Sequence, residues 1–167
     1  PKYEYYVKKL EKELQHRFDV DFQGQAHWFL SMRIGRDSVG NVTLEQARYV
    51  ANIVKRFLGE SVSVENVKRP LPSDFVATVQ DCSTSAAEVA ALTKEYRMEY
   101  PSVIGSLIYL LNSRPDICFA VSKLAKFMRS PGRKHFQALV HLLQYLKCHR
   151  RLGIKYYHDY KNSPIYS

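Results

Sequence analysis

Residues 100–128 read YPSVIGSLIYLLNSRPDICFAVSKLAKFM, and residues 130–157 read SPGRKHFQALVHLLQYLKCHRRLGIKYY. Ser102 to Leu111 is nearly all apolar and is closed by Arg114-Pro115, which reads as a short buried helix. Ile117, Ala120, Val121, Leu124, Phe127 and Met128 mark the inner face of a second helix, ended by Pro131-Gly132. Phe136, Leu139, Val140, Leu142, Leu143 and Leu146 give a third helix a broad apolar face. Three helices joined by short connections predict a bundle. At 100° per residue, Lys123, Lys126, Arg129 and Arg133 fall on an arc opposite the apolar positions. Leu152 to Tyr157 alternates like a strand, with no partner strand after it.

Upstream the chain is more mixed. Tyr6, Val7, Leu10, Leu14 and Phe18 recur at helical steps among charged residues, so 3–18 reads as an amphipathic helix packed on something. His27 to Arg33 alternates as one strand. Asp37 to Asn41 supplies turn chemistry, and Val42 to Leu44 returns as a second strand, which makes a hairpin. Val50, Ile53, Val54 and Phe57 define a helix over 45–58, with Arg48, Asn52 and Lys55 on its polar stripe and Gly59 as its stop. Residues 60–95, broken by Pro70 and Pro72 and carrying a Ser/Thr/Ala run from Ser83 to Ala87, read as a long mobile connector.

Charge divides the chain unevenly. The net charge is +9, yet residues 1–100 hold 14 Lys/Arg against 14 Asp/Glu. Residues 101–167 hold 11 Lys/Arg against only Asp116 and Asp159, so the whole excess lies there. A one-sided positive field is the footprint of a polyanionic partner, for which nucleic acid is the usual candidate. The plainer reading is a solvated basic face. No run approaches the roughly 20 apolar residues of a membrane span, so no membrane partner is expected. Three separated cysteines fit a reducing compartment.

Chemistry of the chain's own is hard to place. Two-metal phosphoryl transfer needs clustered carboxylates, and Asp19 and Asp21 sit in a polar connector with no third acidic residue to join them. His135 and His141 stand six apart and form no HExxH, and Cys148-His149 lacks a second pair, so no metal site is nominated. No glycine-rich phosphate loop or GxSxG elbow exists. Arg114 is read as an ion-pair partner of Asp116 or a helix cap rather than a phosphate contact.

Two motifs in series, IGSLIYL (104–110) and RPDICFAV (114–121), resemble the copia-type (Ty1/copia) retrotransposon reverse transcriptases. That family carries IGSL-x-YL, RPDI-x-FAV, FM-x-x-P, H-W-x-A and L-R-Y-L-K-G-T in this order. Residues 27–50 resemble its YFLGI-x-I…LSQ-x-x-Y segment. The likeness covers the chain apart from 60–95. Ser31 stands where the family usually has Gly, Phe136 where it has Trp, Gln144 where it has Arg, and Pro101 where an Arg is usual.

The resemblance implies a segment lying between the polymerase aspartates and the RNase H aspartates, with neither catalytic set present. Mg²⁺ is then expected only at those two missing sites, and no cofactor in this chain. The implied fold is α+β. Residues 1–44 would end a palm, with Trp28, Phe29, Leu30, Ser31 and Met32 as a primer-grip-like hairpin that positions the primer backbone. Residues 45–98 would supply a thumb helix and long loop, 99–150 a helical bundle, and 151–167 a lone strand opening the connection to RNase H. The implied function is holding an RNA–DNA or DNA duplex without sequence preference, as part of a Pol polyprotein, inside the cell in a cytoplasmic particle or the nucleus. Arg48, Lys55, Lys123, Lys126, Arg129 and Arg133 are the expected contacts. The alternative is a domesticated or degenerate copy acting as a protein-interaction module.

Overall fold

Leu139, Leu142, Leu143 and Leu146 form one apolar stripe, and Phe136, Ala138 and Tyr145 broaden it to about half of their helix, so that helix has to be covered from several directions. The computed structural model describes residues 2–59 and 66–159. Its elements run α1 (Lys2–Arg17), β1 (Trp28–Phe29), β2 (Met32–Arg36), β3 (Val42–Glu45), α2 (Ala47–Leu58), α3 (Ala86–Tyr96), α4 (Tyr100–Leu110), α5 (Cys118–Ala125), α6 (Arg133–Cys148) and β4 (Gly153–Tyr156). α6 is the hub, with α2, α3 and α5 packed on it, and α4 packs on α2 and α5. Val103, Ile104, Leu107, Ile117, Leu124 and Phe136 are fully buried between them, each contributing about 1.5–3 kcal/mol. The α+β reading and the bundle both hold. Pro101 lies in the first turn of α4, where its missing N–H leaves no bond unmade.

Four elements differ from the sequence reading. The strand expected over His27–Arg33 is two strands folded back at Leu30-Ser31, with Trp28 opposite Arg33 and Phe29 opposite Met32. Both turn residues have positive φ, 46° and 63°, the conformation of a two-residue hairpin turn. Alternation concealed the turn because neither Leu30 nor Ser31 is one of the Gly, Asn or Asp residues that signal a positive-φ hairpin turn. The closing strand is not alone either. β4 pairs antiparallel with β3, Leu44 opposite Ile154, completing a sheet of order β1-β2-β3-β4. A Cβ on Gly153 would lie 2.2 Å from the Leu44 carbonyl oxygen, so only glycine permits that approach.

The third difference is α3, which forms inside the stretch expected to be a mobile connector. Ser85 caps it by accepting from the Glu88 N–H, and the Glu88 carboxylate accepts from the Thr84 N–H. The S-x-x-E spacing of Ser85 and Glu88 is a helix-start signature within the Ser/Thr/Ala run. Residues 60–65 of that stretch lie outside the described residues. The segment Val79–Ser83 is sewn to the start of α6. The Ser83 N–H donates to the Ser130 carbonyl at 3.2 Å, and its hydroxyl donates to that of Pro131 at 2.8 Å.

α1 forms as an amphipathic helix, but Tyr6, Val7, Leu10 and Phe18 of its apolar side are exposed rather than packed.

Candidate nucleic-acid interface

The hairpin tip is held from below. The Tyr109 hydroxyl of α4 donates to the Leu30 carbonyl, and the Tyr109 ring meets Tyr49 of α2 edge-on at 5.1 Å. This anchoring matters because Leu30 and Ser31 sit in a conformation that costs non-glycine residues about 1 kcal/mol or more each. Above the anchor, Trp28, Phe29 and Leu30 are 53%, 59% and 62% exposed. Large apolar side chains on a fixed turn are placed for contact rather than for core packing.

Arg48, in the first turn of α2, brings its guanidinium to 6.0 Å from the Trp28 ring centroid. Trp28, Ser31, Arg48, Tyr49 and Asn52 line a cleft of about 230 Å³. Three residues singled out from sequence, Trp28, Ser31 and Arg48, therefore share one site. Asn52 joins it from the same polar stripe as Arg48, Tyr49 joins it unforeseen, and nothing in the apolar run 102–111 marks Tyr109 as the hairpin's anchor. Met32, in β2, is half-buried. Lys55 lies two turns further along α2, in a groove of about 360 Å³ floored by Val50 and Val54 and edged by Lys147 and Arg150. Cations, an indole and an amide in one surface have the chemistry to grip phosphates and stack on sugars or bases.

The basic arc is less regular than its helical wheel. α5 ends at Ala125, and residues 126–130 continue as turns closed by bonds such as Phe127 N–H to the Leu124 carbonyl at 3.1 Å. Lys126 and Arg129 thus leave the helical register of Lys123. Arg133 opens α6 and is claimed by Glu95 of α3, to which it donates from both terminal nitrogens. That pair keeps the Arg133 charge satisfied and holds Glu95 below the usual carboxylate range through the same hydrogen bonds. Residues 101–167 supply only Asp116 and Asp159, and the acidic partner of Arg133 comes instead from 38 residues away in sequence. Lys123, Lys126 and Arg129 are exposed.

Among the described residues, no three His, Cys, Asp or Glu side chains cluster to hold a metal ion, and no helix is long and apolar enough to cross a membrane. No family model matches the chain, and no solved structure does. Curated proteins do match. The chain is 30% identical over 143 residues to a retrovirus-related Pol polyprotein from transposon TNT 1-94 of Nicotiana tabacum, a match covering 84% of this chain and 10% of that protein. It is 33% identical over 134 residues to the corresponding polyprotein from transposon RE1 of Arabidopsis thaliana, covering 80% and 8%. The chain belongs to the copia-type retrotransposon Pol polyproteins. A putative transposon Ty5-1 protein of Saccharomyces cerevisiae matches at 26% over 149 residues, 89% of this chain and 45% of that protein. The copia-type motifs quoted above therefore mark true kinship, and the chain spans about a tenth of the length of the plant Pol polyproteins it matches.

Proposed function

We propose that this segment of a copia-type Pol polyprotein is the part of a reverse transcriptase that holds the template–primer duplex, without catalytic aspartates of its own. One observation carries the reading. Trp28, Phe29 and Leu30 project from a hairpin turn pinned by Tyr109, beside Arg48, at the positions where the family resemblance implies a primer grip. A rigid tip with a cation beside it suits a grip, because it fixes a phosphate backbone without reading bases. Lys55, further along α2, extends the positive surface in the manner of a thumb helix. On this reading Mg²⁺ and the chemistry belong to other parts of the polyprotein, which are also this chain's partners, acting inside the cell in a particle or the nucleus.

The test is the affinity of the chain for a primed RNA–DNA or DNA duplex. Trp28→Ala with Arg48→Gln is expected to weaken binding about tenfold or more, as loss of a charge-assisted contact and a packed ring implies. Equal affinity of the double variant and the parent overturns the assignment of this surface. A second reading, a degenerate copy serving as a protein-interaction module, draws on the exposed Tyr6, Val7 and Leu10 of α1. It predicts a protein complex lost on Val7→Asp and no duplex affinity.

A further inference from the structure

Phe119 stands on the outer side of α5 with 69% of its surface exposed. One turn on, Lys123 places its ammonium 5.7 Å from the centre of that ring, and Lys126 follows, also exposed. The elements packed against α5 are α4, α6 and the turn Pro115–Ile117. Between them they carry a single carboxylate, Asp116, and it is taken by Arg114 and Tyr145. Neither lysine forms an ion pair among the described residues. The face thus offers an open aromatic ring with one ammonium beside it and a second exposed lysine just past the end of the helix, with no local counter-charge.

We propose that the outer face of α5 binds unpaired nucleic acid, with a base stacked on Phe119 and the adjoining phosphates neutralised by Lys123 and Lys126. A ring beside cations is the chemistry by which single strands are held without sequence preference. A duplex suits it less well, because paired and stacked bases present no face to Phe119. A protein partner suits it less well too, since lysines are depleted at the cores of protein interfaces. The inference rests on the nucleic-acid reading above and extends it from the duplex to a strand that has not yet been paired.

The test compares three labelled probes on the full chain by fluorescence anisotropy: an oligothymidylate, an abasic strand of the same length, and a duplex. Phe119→Ala is expected to weaken oligothymidylate binding about 5- to 100-fold, with the abasic strand and the duplex nearly unaffected. Phe119→Trp is expected to retain or tighten it. Lys123→Gln with Lys126→Gln should weaken both single strands and flatten the slope of log affinity against log salt by up to about 1.4. All three side chains involved in these changes are at the surface, so an unchanged urea midpoint verifies the fold. If Phe119→Ala binds oligothymidylate like the parent while duplex binding persists, this site is wrong and the duplex reading stands. If the parent binds neither form, both fall. If Phe119→Ala instead abolishes a self-association of the chain, the face is a protein contact and the proposal is overturned.

Discussion

Arg114 and Asp116, two residues apart, are joined twice: Arg114 Nε donates to Oδ1 at 2.8 Å and a terminal nitrogen to Oδ2 at 2.7 Å. The remaining terminal nitrogen donates to the His149 carbonyl at the end of α6, and Tyr145 adds its hydroxyl to the same carboxylate. The RPDI motif is therefore a clamp between the α4–α5 turn and the far end of α6. The arginine is 1% exposed and the carboxylate 30%, so the two ends of the pair are not equivalent.

That inequality predicts asymmetric damage. Asp116→Ala strands a guanidinium that cannot reach water, and unfolding stability should fall by about 3–5 kcal/mol. Arg114→Met leaves a carboxylate with access to solvent and fills the space, and about 1–2 kcal/mol should be lost. Urea midpoints decide it; a larger loss for Arg114→Met contradicts the account.

His135 gives a pH dependence. Its Nδ1 accepts from the Gly132 N–H at 3.0 Å, and its ring stacks on Phe127 at 4.0 Å. Burial pushes its pKa below the ordinary histidine value, with Asp81 opposing and Lys134 assisting. The unfolded chain therefore binds this proton more readily than the folded one. Stability should be fully present above pH about 6.5 and decline as the pH falls from there toward the depressed folded value. His135→Asn keeps an acceptor for Gly132 and should flatten the urea midpoint between pH 7 and 5 relative to the parent. Parallel profiles for the two proteins would rule this out.

Ser31 carries φ of +63° in the hairpin turn. Glycine there relieves the left-handed strain, and Ser31→Gly is expected to raise stability by up to about 1 kcal/mol. A fall in the thermal midpoint contradicts the turn geometry.

Gly153 tests the closing strand. Alanine at this position meets the Leu44 carbonyl, a backbone atom that cannot swing aside. Gly153→Ala should cost about 1–3 kcal/mol and speed amide exchange over Val42–Glu45. Unchanged exchange would show that β4 does not depend on that approach.

The bundle was legible because Leu107, Leu124, Phe136 and Leu143 keep helical periodicity and all are buried. The Arg114–Asp116 pair was legible because its partners are two residues apart. Contacts made by folding were not. The Glu95–Arg133 pair joins α3 to α6, and β4 returns to β3 across more than a hundred residues. No local pattern encodes either. The turn at Leu30-Ser31 was hidden for another reason: an anchor from α4, Tyr109, stabilises residues with poor turn propensity. At the candidate interface, Trp28 and Arg48 were readable as residue types, but their meeting required the α2–hairpin packing.

The central claim, that this chain grips a duplex through phosphates, is tested most directly by the salt dependence of its affinity for a primed duplex. The account predicts a steep linear fall of log affinity with log salt. Arg48→Gln with Lys55→Gln should flatten that slope by up to about 1.8, at roughly 0.9 per phosphate contact. A duplex affinity that ignores salt, or a slope identical in the folded double variant and the parent, would contradict it.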